Sequence, residues 1–236
     1  GGFCLWPSKF SNYTVRESPY KGGRGDVVRE FVQSCKKYDV QPCFYWGPNA
    51  NGDLLQKGFD AETFVNLQLG QLRELLTQYG PISRLWWDHY LGGCGLHAPC
   101  PAGSFPAAWP RFVELVRTVA PDTLLCPGPD CHGHITEDGR GAYPLWYNIR
   151  HGSTNVGEFM PKEVCATPYP HAWFAKGTGT QDAWTIQYYW YIYVSSVGIG
   201  YVNTVNAAPG TTGQVPEDTV AKQRAFGEVL TKFEQP

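Results

Sequence analysis

Residues 84 to 90, "RLWWDHY", combine a short apolar run with a carboxylate that follows it at once. An almost continuously apolar strand is typical of a parallel sheet that is covered on both faces. A charged side chain directly after such a strand costs roughly several kcal/mol in desolvation unless it is paired or takes part in chemistry. Asp88 is therefore the first candidate functional residue.

The pattern of strands and helices continues on both sides of this stretch. Strands are predicted at "FCLW", "QPCFYW", residues 82–87, "TLLCP", "VCATP" and "YVNTV", and helices over 26–39, 60–78, 108–119, 182–195 and 217–232. Strands that alternate with helices form parallel βαβ units. No Gly-rich phosphate motif follows any of these strands, and chemically active side chains come just after the strand ends instead, as in a (β/α)8 barrel.

The fold predicted from this order is α/β, a (β/α)8 TIM-like barrel in a single catalytic domain over residues 1–236. About six strands are visible in the sequence. We therefore expect the barrel to be incomplete at its N-terminal end, and the chain, which begins with Gly1, to be a piece of a longer protein.

The composition limits the class of partner. The chain has 236 residues, 42% of them hydrophobic and 15% aromatic, with a formal net charge of -2. These values favour a protein with a substantial core and a neutral substrate, and favour neither a nucleic-acid nor a membrane partner. No apolar run approaches the roughly 18 to 20 residues of a membrane span. The oligomeric state is left open by the sequence.

The cysteines and one acceptor triplet bear on the compartment. Cys94 and Cys100 bracket the loop "CGLHAPC", and we expect a local disulfide there. A metal site using His97 is the alternative, but the spacings match no zinc motif, so no metal ligands are predicted. "NYT" at Asn12 is an N-glycosylation pattern. With nine Trp and one Met, these features predict a secreted or lysosomal/vacuolar protein, or a periplasmic one in a bacterium.

Carboxylates at strand ends in an aromatic-rich, nearly neutral chain indicate carbohydrate chemistry, because the apolar C–H faces of sugars stack on aromatic rings while acids act on the glycosidic bond. The alternative for each aromatic side chain is packing in the core, and for Asp88 it is an ion pair or a helix cap. The candidate sugar-stacking residues are Trp6, Tyr45, Trp46, Trp86, Trp87, Trp146 and Trp173.

Six segments also resemble, in order, the landmarks of glycoside hydrolase family 29, the α-L-fucosidases. They are "GGFCLWPSKFSNYTV", "KGGRGDVVREFVQSCKKYDVQPCFYW", "YGPISRLWWDHY", "GPDCHGHITEDG", "EFMPKEVCATPYPHAWF" and "SSVGIGYVNTVNAAPGTTGQVPEDTVAKQRAFGEVL". The resemblance implies that Asp88 is the nucleophile of a retaining exo-α-L-fucosidase that needs no cofactor. The expected substrate is then a fucosylated oligosaccharide or a glycoprotein glycan.

The resemblance leaves two candidates for the acid/base. "GPDCHGHITEDG" is similar to a segment of the subgroup that cleaves branching α-1,3 and α-1,4 fucose, and it implies Glu137, which we prefer. "PKEVCATP" is similar to another family segment and implies Glu163. The alternative for each residue is a solvated loop carboxylate.

The chain also departs from the family pattern. The family's pair of pocket histidines precedes the segment equivalent to "GGF", Asp88 is followed by His89 and Tyr90 in place of small residues, and Ile199 stands where the family has arginine. The alternative function is therefore a non-catalytic fucose- or glycan-binding remnant of such a barrel.

Overall fold

The computed structural model describes residues 2–47, 60–88, 104–134, 136–141, 161–169, 173–175 and 182–235. The chain divides into two compact units, Gly1–Pro129 and Asp130–Pro236, and each is described by itself. The single domain over residues 1–236 stays a prediction. The expected Cys94–Cys100 disulfide and Trp146 lie outside the described residues.

The first unit is built on a three-stranded sheet. All neighbouring strands are parallel, and their order is β1-β2-β3. The strands are β1 (Cys43–Trp46), β2 (Arg84–Trp87) and β3 (Leu124–Cys126), and the helices are α1 (Val27–Lys37), α2 (Ala61–Gln78) and α3 (Ser104–Val119).

In the first unit, capping residues explain where two of the three helices begin. Asp26 accepts the N–H of Arg29 at 3.0 Å at the start of α1. Asp60 accepts the N–H of Thr63 at 3.0 Å at the start of α2. Both helices therefore begin within one residue of the predicted position. Helix α3 begins at Ser104, four residues before the predicted position, and contains Pro110.

One face of the first sheet forms the core of this unit. Leu85, Trp87 and Leu125 are at most 1% exposed, and the Trp87 ring meets Trp109 and Phe112 of α3 edge-on at 4.9 and 5.9 Å between centroids. Burial of each such side chain contributes about 1.5–3 kcal/mol. The parallel strands are thus fixed against the helix layer, and their other face carries Tyr45 and Trp86.

The prediction of a strand at "FCLW" is wrong. This segment makes one isolated bridge, between Cys4 and Thr14. Polar side chains of α2 hold it instead: Glu74 accepts the indole N–H of Trp6 at 3.0 Å and the backbone N–H of Lys9 at 2.9 Å. The segment is therefore held by the buried Glu74 carboxylate, which accepts two hydrogen bonds, and not by the strand pairing that the apolar pattern predicted.

The second unit has its own three-stranded parallel sheet, in the order β4-β5-β6. The strands are β4 (His132–His134), β5 (Lys162–Ala166) and β6 (Val202–Val205), and the helices are α4 (Ile186–Ser196) and α5 (Glu217–Glu234). The predictions of β5, β6 and α5 are confirmed, and β4 was not predicted.

Helix α4 begins four residues after the predicted Asp182. Asp182 is buried and accepts the hydroxyl of Tyr189 at 2.5 Å and the N–H of Trp184 at 2.8 Å. Thr185 caps the helix by accepting the N–H of Tyr188. Asp182 therefore bonds to Tyr189 of the helix from a position before it, and Thr185 is the residue that caps the helix.

The α/β class with parallel strands is confirmed. Cys126 and Cys131 form a disulfide, a pairing that the sequence did not predict. Among the described residues, Cys4, Cys35 and Cys43 are free thiols. No described helix has both the length and the apolar character that a membrane crossing requires.

Candidate active site

Asp88 lies directly after the last residue of β2, at the carboxyl end of the strand. Its N–H donates to the carbonyl of Trp46 at 3.0 Å, so its backbone continues the parallel ladder between β1 and β2. The side chain is half-buried. The ladder therefore fixes the backbone from which the Asp88 side chain extends. A side chain that attacks a substrate must be held in one geometry.

Tyr45 is a hydrogen-bond partner of the Asp88 carboxylate. Its hydroxyl donates to Oδ2 of Asp88, and its ring stacks on Trp86 with centroids 5.4 Å apart and an interplanar angle of 15°. Desolvation of the hydroxyl, followed by the bond to Asp88, raises the pKa of Tyr45 well above its ordinary value. Tyr45 therefore remains a hydrogen-bond donor to the carboxylate at any pH near neutrality.

The predicted sugar-stacking residues of the first unit differ in exposure. Trp6, Trp46 and Trp87 are 7%, 8% and 1% exposed, whereas Tyr45 is 61% exposed. The indole N–H groups of Trp46 and Trp87 are buried without a hydrogen-bond partner in the described part of the chain. In this structure, the three tryptophans pack in the core, and Tyr45 presents an aromatic face to solvent.

Glu137 lies in a turn beside the carboxyl end of β5. The N–H of Cys165 donates to the carbonyl of Thr136, and the N–H of Gly139 donates to the carbonyl of Cys165, both at 3.0 Å. Gly139 has a φ of 76°, and a Cβ there would approach the Cβ of Ala166 to 2.8 Å. The glycine thus allows the turn to lie close against β5, and Glu137 is exposed.

Glu163 is placed differently. It is the second residue of β5, is fully buried, and accepts a hydrogen bond from the hydroxyl of Thr204 on β6. It therefore lies near the amino end of the strand, away from the end that carries the Glu137 turn.

Trp173 lies close to the carboxyl ends of β5 and β6. Its carbonyl accepts the side-chain amide of Asn206 at 2.8 Å, and the N–H of Asn206 donates to the carbonyl of Ala166 at 2.8 Å. The Trp173 side chain is 42% exposed. Asn206 was not predicted as a candidate from the sequence. It directly follows the strand "YVNTV", and a polar residue directly after a strand is the signal that singled out Asp88.

Neither unit places three candidate metal ligands together in its described residues. In each unit, candidate residues lie at the carboxyl ends of parallel strands: the half-buried Asp88 and the exposed Tyr45 in the first, and the exposed Glu137 and Trp173 in the second. Carboxylates and exposed aromatic faces at the carboxyl ends of parallel strands are side chains of the kind that glycoside hydrolases use.

Comparison with known proteins agrees with this class. A family model described as alpha-L-fucosidase matches residues 1–233, so the chain belongs to the α-L-fucosidases, glycoside hydrolase family 29. The members of this family are glycoside hydrolases, as the resemblance of the sequence segments implied.

Individual relatives are distant in sequence. A rice protein (Oryza sativa subsp. japonica) named as an α-L-fucosidase is 26% identical over 245 residues, which cover 97% of this chain and 45% of the relative. A Bacteroides thetaiotaomicron structure classed as an α-L-fucosidase is 26% identical with a TM-score of 0.79, covering 96% of this chain and 52% of that one. A family 29 member from a rumen bacterium is 25% identical with a TM-score of 0.71, covering 97% and 44%. The chain spans about half the length of each of these three relatives.

Proposed function

We propose that the chain carries the catalytic residues of a retaining exo-α-L-fucosidase on a (β/α)8 barrel, with Asp88 as the nucleophile. The observation that carries the proposal is the carboxylate of Asp88 at the carboxyl end of β2, aligned by the hydroxyl of Tyr45. The family membership supports the substrate class.

The reaction proceeds in two displacements. A carboxylate oxygen of Asp88 attacks the anomeric carbon of the fucose, the bond from that carbon to the glycosidic oxygen breaks, and Glu137 gives its proton to the leaving oxygen. Glu137 then takes a proton from water, and the hydroxide attacks the anomeric carbon and releases Asp88 and free L-fucose. The two carboxyl groups supply both the nucleophile and the proton, so the reaction needs no cofactor.

Glu137 is the preferred acid/base on the basis of its surroundings. It is exposed in a turn at the carboxyl end of β5, where a leaving group could approach it. Glu163 is fully buried near the amino end of the same strand and is already engaged by Thr204. We therefore assign Glu163 a structural role.

The proposed substrate is a terminal α-L-fucose of an oligosaccharide or glycoprotein glycan. The exposed rings of Tyr45 and Trp173 can stack on the apolar face of a sugar. We propose a secreted, lysosomal/vacuolar or periplasmic location. The Cys126–Cys131 disulfide supports an oxidising compartment.

The first test replaces the nucleophile. Asp88→Asn keeps the size of the side chain and removes the attacking anion, so turnover of 4-nitrophenyl α-L-fucoside by the full natural chain should fall about a thousandfold or more. Added azide should restore part of the rate and give fucosyl azide of inverted configuration, because the small anion attacks in place of the carboxylate.

The matched control is Asp122→Asn, an exposed aspartate before the amino end of β3, which should leave the rate unchanged. Near-normal turnover by Asp88→Asn would show that Asp88 is not the nucleophile. If the unmodified protein binds fucose in calorimetry and hydrolyses no fucoside, the proposed enzyme is wrong and the chain is a glycan-binding remnant.

A further inference from the structure

The sequence contains one Asn-x-Ser/Thr triplet, Asn12-Tyr13-Thr14. In the structure, Asn12 is exposed in a bend between the Cys4 segment and the short 3-10 helix Val15–Glu17. The Asn12 side chain has no hydrogen-bond partner among the described residues. Its amide nitrogen is therefore open to modification.

The residues after Asn12 are anchored. Thr14 is fully buried, and its hydroxyl accepts the N–H of Arg16 at 3.1 Å. Cys4 donates its N–H to the carbonyl of Tyr13 at 3.0 Å and accepts the N–H of Val15 at 2.9 Å. The exposed Asn12 thus projects from a fixed base, and a group attached to it would have a defined direction.

An aromatic platform lies two residues before Asn12. The Phe10 ring covers Gly70 of α2 so closely that a Cβ at Gly70 would come within 2.4 Å of the ring. Phe10 nevertheless remains 45% exposed. The ring is therefore held in place by packing while part of it is open to solvent. A sugar can bury the apolar C–H face of its ring against such a surface.

We propose that Asn12 is an N-glycosylation site and that the first N-acetylglucosamine of its glycan stacks on Phe10. The Asn12 amide nitrogen forms a bond to the anomeric carbon of a lipid-linked oligosaccharide diphosphate. The bond from that carbon to the diphosphate oxygen breaks, the lipid diphosphate leaves, and the nitrogen loses one proton to the transferase. The Cys126–Cys131 disulfide is consistent with passage through an oxidising secretory compartment. The proposal stands independently of the fucosidase activity.

The modification is tested on the full natural chain secreted from a eukaryotic host. Digestion with peptide N-glycosidase in ¹⁸O water should convert Asn12 to ¹⁸O-labelled aspartate in the peptide that contains it. Asn12→Gln should remove the glycan from the intact mass. Recovery of the Asn12 peptide without a glycan from the secreted protein would overturn the proposal.

The stacking is tested by comparing the Tm of the glycosylated and enzymatically deglycosylated protein. We expect glycan removal to lower Tm by about 2–4 °C, as one aromatic stacking contact does in a chain of this size. Phe10→Leu, which keeps an apolar side chain over Gly70 but has no ring face, should abolish most of this difference.

The matched control is Tyr13→Leu. Tyr13 is 43% exposed and is engaged edge-on with Phe3 at 5.0 Å between centroids, so the glycan-dependent shift should persist. If Tyr13→Leu abolishes the shift and Phe10→Leu does not, the assignment of Phe10 as the platform is wrong.

Discussion

At the residue scale, the surroundings of Asp88 account for a carboxylate after an apolar strand. The strand ladder fixes its backbone through Trp46, and Tyr45 compensates part of its desolvation with a hydrogen bond. The sequence predicted a functional role for Asp88 from its position and from the family resemblance, and that role stays a prediction. It could not predict the pairing with Tyr45, because that depends on the register of Trp46 with Trp87 across two strands.

Removal of the Tyr45 hydroxyl tests this pairing. Tyr45→Phe keeps the stacked ring and removes one hydrogen bond to a charged group, worth about 1.5–3 kcal/mol, so kcat/KM should fall about ten- to a hundredfold. Because the pKa of Tyr45 is raised, the hydroxyl does not ionise near neutrality, and the alkaline side of the pH profile should be unchanged. The measurement is kcat/KM for an aryl α-L-fucoside from pH 4 to 9.

The control for that variant is Tyr79→Phe, which removes a second tyrosine-to-aspartate bond of the same unit, 3.0 Å long, to Asp26. It should lower stability and leave kcat/KM of the folded protein unchanged. Equal losses of kcat/KM in both variants would show that the effect of Tyr45 is structural.

The two glutamates should separate in kinetics and stability. Glu137→Ala removes the proton donor, so hydrolysis of substrates with poor leaving groups should fall about a hundredfold or more, while activated aryl fucosides are affected far less. Glu163→Ala should lower the free energy of unfolding by about 1–3 kcal/mol, because the Thr204 hydroxyl loses its buried acceptor. A leaving-group dependence in Glu163→Ala and none in Glu137→Ala would reverse the assignment.

At the element scale, local patterns decided most helix and strand positions. Asp26 and Asp60 mark helix starts because an aspartate satisfies a free N–H there. The three-residue strand β4, "HGH", has no apolar alternation, so its pairing with β5 could not be inferred from its own residues. The Cys126–Cys131 disulfide could not be predicted from the sequence either, since cysteine pairing depends on the fold.

Strand β5 contains a lysine that the fold tolerates at a cost. Lys162 is 5% exposed, and burial lowers its pKa below the ordinary 10.5. Between the folded and unfolded pKa values, the unfolded chain binds more protons, so the free energy of unfolding increases as pH rises towards 10.5. Lys162→Met should raise stability at pH 7 by about 0.5–2 kcal/mol and weaken this pH dependence.

Urea unfolding at pH 7, 8 and 9 measures the effect. Lys162→Arg, which keeps a charge at the same place, is the control and should not raise stability. A Lys162→Met protein that is less stable than the unmodified one at pH 7 would show that the lysine makes a favourable contact in the folded state.

At the scale of the whole molecule, the candidate residues are divided between the two compact units. Asp88 and Tyr45 belong to Gly1–Pro129, and Glu137 and Trp173 belong to Asp130–Pro236. The sequence predicted a position after a strand for Asp88, whereas Glu137 was named from the family resemblance, and Tyr45 and Trp173 were named as aromatic candidates. The eight-stranded barrel remains a proposal, because the described residues contain two separate three-stranded sheets.

The stereochemistry of the product tests the mechanism for the molecule as a whole. Two displacements at the anomeric carbon, the first by Asp88 and the second by water, return the original configuration, so the first sugar released should be α-L-fucose. Proton NMR of the anomeric signals during the first minutes of hydrolysis, before mutarotation, distinguishes it from the β anomer. A 2-deoxy-2-fluoro-fucosyl fluoride should also leave a covalent label on the peptide that contains Asp88, because the fluorine slows the second displacement. Initial release of β-L-fucose would mean that water attacks directly, and Asp88 would then act as a base.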